Sequence, residues 1–402
     1  MRITATTLNR QVLHVINDRN YDISKLQLQL ATGKRLQRPS DDPVDVANTL
    51  KLETKIKELT QFKKNINDGM SYMNVTDSAM ESMNTLMQRA RELAVQGASD
   101  TIGASERNYI NKEAMQLFRQ AVALVNTSFK GDYIFSGTQT KTPPVNINHS
   151  TALTGQDYTD RNMAYFNAAG QPVGTAVQLF NGFDNTPMND IIPDSFKLNI
   201  AGVNYRENID YTVDYENGTM TILNPALAID TTPGTPNYAL GQASIQFDYV
   251  EMGTDIFGQT ISNWGDIYRE IETGITMAIN IPADELIQDP ATGNTIINTF
   301  IQFGQSLVQN NRNGISDSID NIDSVFNALL SAQSKNGSRI NRFETTLTRN
   351  ESQVASTTEI QSSLADTEMA DAIMKFNIAQ NVFDAALKTS AKIIQPSLVN
   401  FL

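Results

Sequence analysis

Apolar residues recur at alternating steps of three and four at both ends of this chain, and that pairing limits the fold more than any other feature. Near the N-terminus Val12, Ile16, Ile23, Leu26 and Leu30 keep the spacing, with Arg19 at one seam position. Near the C-terminus Met369, Ile373, Phe376, Phe383, Leu387 and Ile394 repeat it, with Gln380 and Ser390 as polar interruptions and Pro396 expected to stop the helix. Such steps return each side chain to one helix face, so each end reads as a coiled-coil strand and the two as matched partners. Five large side chains on an isolated arm do not offset the entropy of ordering it. The arms are therefore expected to be disordered alone and to fold on each other, and on neighbouring subunits, during assembly.

Between the first arm and the middle, "RPSDDPVD" from Arg38 to Asp45 reads as a helix start. Asp42 caps, Pro43 suits the first turn, and Asp45 puts a carboxylate near the positive helix end. Arg38, Asp41, Asp42 and Pro43 are thus the candidate hinge and cap between arm and bundle. A long helix follows to about Gln96, with its seam through Leu52, Ile56, Leu59, Ile66, Met70 and Met73, then less regularly through Met80, Met83, Leu86 and Leu93. A second helix uses Ile110, Ala114, Leu117, Ala121 and Val125, with Gly131 closing it. The return helix carries Ile315, Ile319, Ile322, Phe326, Leu329, Ile340, Phe343, Leu347 and Val354 in heptad register. The three predict one elongated bundle.

The middle changes period. Phe196, Leu198 and Ile200 alternate; so do Ile209, Tyr211, Val213 and Tyr215, then Met220 and Ile222, then Ile245, Phe247 and Tyr249. Alternation marks half-buried strands, and Asn217-Gly218 is a hairpin turn. Ile261 to Asn280 returns to a helical texture, and "IPADELIQDPATGN" reads as a loop. The expected fold is α+β: a long helical bundle with paired N- and C-terminal coiled-coil helices and an inserted β-rich outer domain. Its expected parts are an N-terminal arm (1–41) pairing with a C-terminal arm (362–402), bundle segments at 42–141 and 261–361, and the β-rich domain at 142–260.

Chemistry is limited by what the chain lacks. A net charge of -13 leaves no clustered cationic footprint for nucleic acid. No run of about 18 apolar residues suggests membrane insertion, and the first thirty residues lack a cleavable apolar core. Cysteine is absent, and the two histidines, His14 and His149, lie too far apart in sequence for a zinc helix. Gly33-Lys34 lacks the rest of a phosphate loop. Asp41-Asp42 is read as a cap and linker rather than a catalytic pair, Lys51, Lys55, Lys57, Lys63 and Lys64 as a solvated helix face, and the seam methionines as core. No catalytic, metal or cofactor-binding residue is assigned, no cofactor is expected, and the chain does not read as an enzyme. A secreted adhesin or binding module displayed through the β domain is an alternative from a different class.

These segments carry a family resemblance. "LATGKRLQRPSDDPVDVANTL", Leu30 to Leu50, resembles the N-terminal block of the flagellin family, and its SDDP variant is more similar to the hook-associated branch than to filament flagellin. "GDYIFSGTQTKTPP", Gly131 to Pro144, "KNGSRINRFE", Lys335 to Glu344, and the C-terminal segment from Leu364 complete the likeness. It covers about the first 145 and last 90 residues. The resemblance implies a structural subunit forming a ring of copies of itself at the junction between hook and filament. Its neighbours there would be another hook-associated protein and flagellin. It also implies type III export as an unfolded chain to the extracellular flagellum, aided by a cytoplasmic chaperone on the C-terminal part. Filament flagellin is the alternative within the family.

Overall fold

The computed structural model describes residues 5–153, 164–166, 176–181, 189–193, 195–200, 203–224, 243–252, 264–290 and 292–399. The side chains of Val12, His149, Ile200, Ile245 and Ile394, and the whole of Ile261, lie outside that description. The fold is α+β, with helices at both ends of the chain and a β-rich insertion between them. By contacts it divides into two units: residues 1–64 with 346–402, and residues 65–345.

The first unit contains α1 (Ala5–Thr32), the start of α2 (Pro43–Gly97), the end of α6 (Arg312–Ala365) and α7 (Met369–Val399). α1 packs along α7. Lys63 of α2 pairs with Glu351 of α6 at 2.8 Å, and Lys57 with Glu53 at 2.8 Å in the favourable i,i+4 order. Both arms are helical in the single chain. α7 also continues past Pro396 to Val399. A proline removes one N–H, which does not end the helix so near its last turn, where few bonds remain to lose.

In the second unit α2 carries a methionine-rich seam in which Met73, Met80, Met83 and Met87 are fully buried. Each buried large side chain contributes about 1.5–3 kcal/mol, and the unbranched thioether fills irregular gaps. α6 runs beside α2: Asn336 Nδ2 donates to the Met73 carbonyl at 3.1 Å, Asn84 Nδ2 to Gln333 Oε1 at 2.6 Å, and Arg91 Nε to Asp323 Oδ1 at 2.6 Å. The α6 seam holds Ile315, Ile322, Val325, Leu329, Ala332 and Phe343, interrupted by buried Asn336. α3 (Ala104–Val125) buries all five positions expected of it and packs on α5 (Ile296–Val308), where Phe118 and Phe300 lie 5.6 Å apart. Buried Arg107 donates from Nε to the Gly97 carbonyl at 2.8 Å, so its guanidinium faces the carbonyl end of α2.

Among the described residues, two four-stranded antiparallel sheets form the β-rich part. One has the order β3 (Val145–Leu153), β10 (Ala243–Met252), β6 (Lys197–Ile200), β7 (Val203–Asn204). The other has β4 (Ala164–Phe166), β5 (Ala176–Asn181), β9 (Thr219–Ile222), β8 (Tyr211–Asp214). The alternating residues supply the core: Phe196 lies 5.5 Å from Tyr211 and 5.7 Å from Phe247, joining the sheets. Ile209 instead sits in the preceding turn and is exposed. β8 and β9 turn at 215–218 with Gly218 at φ 61°, as Asn217-Gly218 predicts. Polar contacts fasten this hairpin to the helices: Gln302 Nε2 donates to Glu216 Oε1 at 3.0 Å, and Asn321 Nδ2 to Gln302 Oε1 at 3.1 Å.

Three local expectations are corrected. The stretch expected to be helical up to Asn280 holds a hairpin, β11 (Tyr268–Glu272) and β12 (Ile275–Ala278), because Gly274 at φ 73° supplies a left-handed turn no helix would use. Expected bundle segment 261–361 therefore contains strands. The expected loop "IPADELIQDPATGN" opens with the short helix α4 (Ala283–Ile287), started by Pro282 and favoured by Asp284 and Glu285 in its first turn. Gly131 does not close α3, which ends at Val125. Lys130 (φ 55°) and Gly131 (φ 85°) instead form the turn between β1 (Ser128–Phe129) and β2 (Asp132–Tyr133), a geometry with two left-handed residues.

Candidate assembly interface

The hinge residues occupy the segment leaving α1. Gly33, at φ 69°, ends the helix with its N–H on the Gln29 carbonyl at 2.8 Å. The next residues pair with the α6–α7 junction: Arg35 N–H donates to the Ala365 carbonyl at 2.7 Å, and Thr367 N–H to the Gly33 carbonyl at 2.9 Å. Lys34 Nζ meets Asp366 Oδ1, and Arg35 Nη2 reaches the Leu364 carbonyl at 2.7 Å and Asp45 Oδ2 at 2.6 Å.

Each acidic residue of the SDDP motif has a distinct task. Asp41 Oδ2 accepts the N–H groups of Gln37 at 3.1 Å and Arg38 at 3.0 Å, while Oδ1 lies 2.9 Å from Lys25 Nζ on α1. The Lys25 ammonium first, then the two N–H groups, hold the Asp41 carboxyl down at about 2. Asp42 Oδ1 accepts the N–H groups of Val44 and Asp45, both at 3.1 Å, and caps α2 behind Pro43. One carboxylate shapes the turn and the other starts the helix.

The structure distributes the seam residues unevenly. On α1 Ile23 is buried, and Ile16, Leu26 and Leu30 are half-buried. On α7 the covered row is Ala372, Phe376, Ala379, Phe383 and Ala386, again at steps of four and three. Phe376 and Phe383 belong to the expected seam. Met369, Ile373 and Leu387, on the flank of this row, do not share its burial and are 43–48% accessible; Met374, Ile378 and Val382 are exposed as well, on a different face of the helix. Two adjacent apolar rows on one helix give the periodicity no means of choosing between them, and the alanines let the α1 backbone come close. Alanines at heptad spacing between phenylalanines were the available signal. His14, 2.8 Å from Asp18, is exposed on α1.

Paired helices with a covered row and an uncovered apolar row can bind further helices. They offer no constellation for chemistry: among the described residues no group of three or more His, Cys, Asp or Glu could hold a metal ion, and no helix is long and apolar enough to cross a membrane.

Comparison with known proteins bears on the same segments. Residues 3–140 match the model of the bacterial flagellin N-terminal helical region. Flagellin FlaB1 of Treponema pallidum is 25% identical over 212 residues, covering 48% of this chain and 73% of the relative. A flagellin of Salmonella oranienberg is 27% identical over 288 residues, covering 67% of this chain and 53% of the relative, so the chain spans about half the length of that flagellin. Among solved structures, FlgL of Bacillus cereus aligns with a TM-score of 0.43 at 14% identity, covering 78% of this chain and 99% of that one. Over the N-terminal helical region, residues 3–140, the chain is therefore similar to bacterial flagellins.

Proposed function

We propose that this chain is the subunit that forms the junction between flagellar hook and filament, corresponding to hook-associated protein 3, and that it is the base on which flagellin assembles. The observation that carries an assembly role is the exposed apolar surface of α7, with Met369, Ile373 and Leu387 on one face and Met374, Ile378 and Val382 on another, together with exposed Leu13, Val15 and Leu28 of α1. Such a surface is costly in water and favourable against another helix. The junction is favoured over the filament by the SDDP and GDYIFSG segments. In this reading the chain is exported through the flagellar type III route with a chaperone on its C-terminal part and forms a ring outside the cell. It meets another hook-associated protein on one side and flagellin on the other. Arg38, Asp41, Asp42 and Pro43 form the hinge and cap between arm and bundle, and the exposed seam residues Met369, Ile373 and Leu387 contribute contacts within the ring.

The second reading is a filament flagellin, favoured by the relatives above, which are themselves flagellins. Deleting the gene separates the two. The junction role predicts hooks without filaments in electron micrographs, with flagellin lost to the medium; hooks still bearing long filaments would overturn it.

A further inference from the structure

The chain contains four Asn-Gly dipeptides, at 181–182, 217–218, 313–314 and 336–337. Asn-Gly is the dipeptide at which an asparagine side chain is most open to attack by the following backbone nitrogen, because glycine has no side chain to hinder the five-membered ring. The fold treats the three dipeptides it describes in full very differently.

Asn336 lies inside α6, wholly buried, with Nδ2 on the Met73 carbonyl at 3.1 Å, and the Gly337 N–H belongs to the helix ladder. Asn313 is in the first turn of α6, and there the Gly314 N–H donates to Asn311 Oδ1 at 3.2 Å. Both nucleophilic nitrogens are therefore held in helical backbone. Asn217 is instead the exposed residue of the turn between β8 and β9, followed by Gly218, which is buried and in the left-handed region. Among the described residues the Gly218 N–H has no acceptor. The Asp214 carboxylate holds the Asn217 end of the turn, with Oδ1 3.2 Å from the backbone N and Oδ2 2.9 Å from Nδ2.

We infer that Asn217 is a site of spontaneous covalent modification, deamidating through a succinimide with Gly218 while Asn313 and Asn336 are protected by the fold. The Gly218 nitrogen bonds to Cγ of Asn217 and gives up its proton. The bond from Cγ to Nδ2 breaks, and Nδ2 leaves as ammonia after taking up a proton through water or the Asp214 carboxylate beside it. Water then opens the ring at either carbonyl, leaving aspartate or isoaspartate, with no oxidant or reductant consumed. Either product places a second carboxylate against Asp214 and removes the Nδ2 donor that Asp214 now accepts from, so the turn loses a hydrogen bond and gains a repulsion.

The test is peptide mapping by mass spectrometry of the purified full-length chain, folded and in denaturant, over an incubation at mildly alkaline pH. Isoaspartyl methylation counts the isomerised product, and Asn217→Gln assigns the signal. The folded chain is expected to accumulate acid at 217 several times faster than at 313 or 336, and the denatured chain to react at similar rates at all three. A folded chain in which 217 reacts no faster than the two helical sites would overturn the inference.

Discussion

Lys25 on α1 and Asp41 in the SDDP motif meet at 2.9 Å, Nζ to Oδ1, across the turn that takes the chain from arm to α2. The contact is local to that turn, and the second carboxylate oxygen is occupied by backbone N–H groups, so the pair fixes a backbone path as well as a charge balance.

That arrangement has a pH signature. The Asp41 carboxyl is depressed to about 2 from an ordinary 3.8, so its stabilising effect is complete above 3.8 and is lost as pH falls toward 2. Allowing for solvent screening, Asp41→Asn is expected to lower the stability of the α1 turn by about 1 kcal/mol at neutral pH. Hydrogen exchange at Gln37 and Arg38 reads it directly; unchanged protection at those two amides would remove the role given to Asp41.

Asp190 is expected to behave in the opposite sense. Burial first, and Glu216 second, push its carboxyl up to about 6, so between 3.8 and about 6 the folded state holds more proton than the unfolded. Stability then falls as pH rises through that window. Asp190→Asn is expected to stabilise the chain by about 1 kcal/mol near neutral pH and to flatten the dependence, since asparagine tolerates the left-handed backbone of φ 54°. Thermal melts across the window give the sign.

Gly137 leaves no room for a side chain. At φ 55° its added Cβ would run into the Trp264 carbonyl oxygen, which already accepts the Thr138 N–H at 2.7 Å. Gly137→Ala is expected to cost about 3 kcal/mol or more through backbone strain and loss of that bond. Trp264 is the sole tryptophan and fully buried, so red-shifted emission at lower denaturant concentration is the readout.

The two rows of α7 should separate folding from assembly. Phe383→Ala removes a half-buried ring from the row facing α1 and is expected to cost the α1–α7 pairing about 1–2 kcal/mol, seen as faster hydrogen exchange in both helices. Leu387→Ser, on the exposed row, is expected to leave that exchange unchanged and to reduce incorporation into flagella. Equal effects of the two substitutions on exchange would contradict the division.

Much of the architecture was readable from residue spacing. The seams of α2 and α3, the strand alternation at Phe196, Tyr211 and Phe247, the turn at Asn217-Gly218 and the Asp42 cap are all written in local periodicity or backbone chemistry that does not depend on distant partners. The hairpin β11–β12 escaped because its alternation is short and an apolar run of that length suits a helix equally well.

The sequence by itself determined that both ends are amphipathic helices, that a β-rich segment interrupts them, and that thiol and paired-histidine chemistry is absent, because composition and period are properties of the chain alone. Only the tertiary structure decided which of the two apolar rows of α7 is covered by α1 and that Asp41 and Asp42 serve different backbones. It also decided that one Asn-Gly dipeptide lies in a turn while two are held in a helix. Those choices depend on which surface a neighbouring element reaches, and neither the period of a helix nor the identity of a residue contains that neighbour.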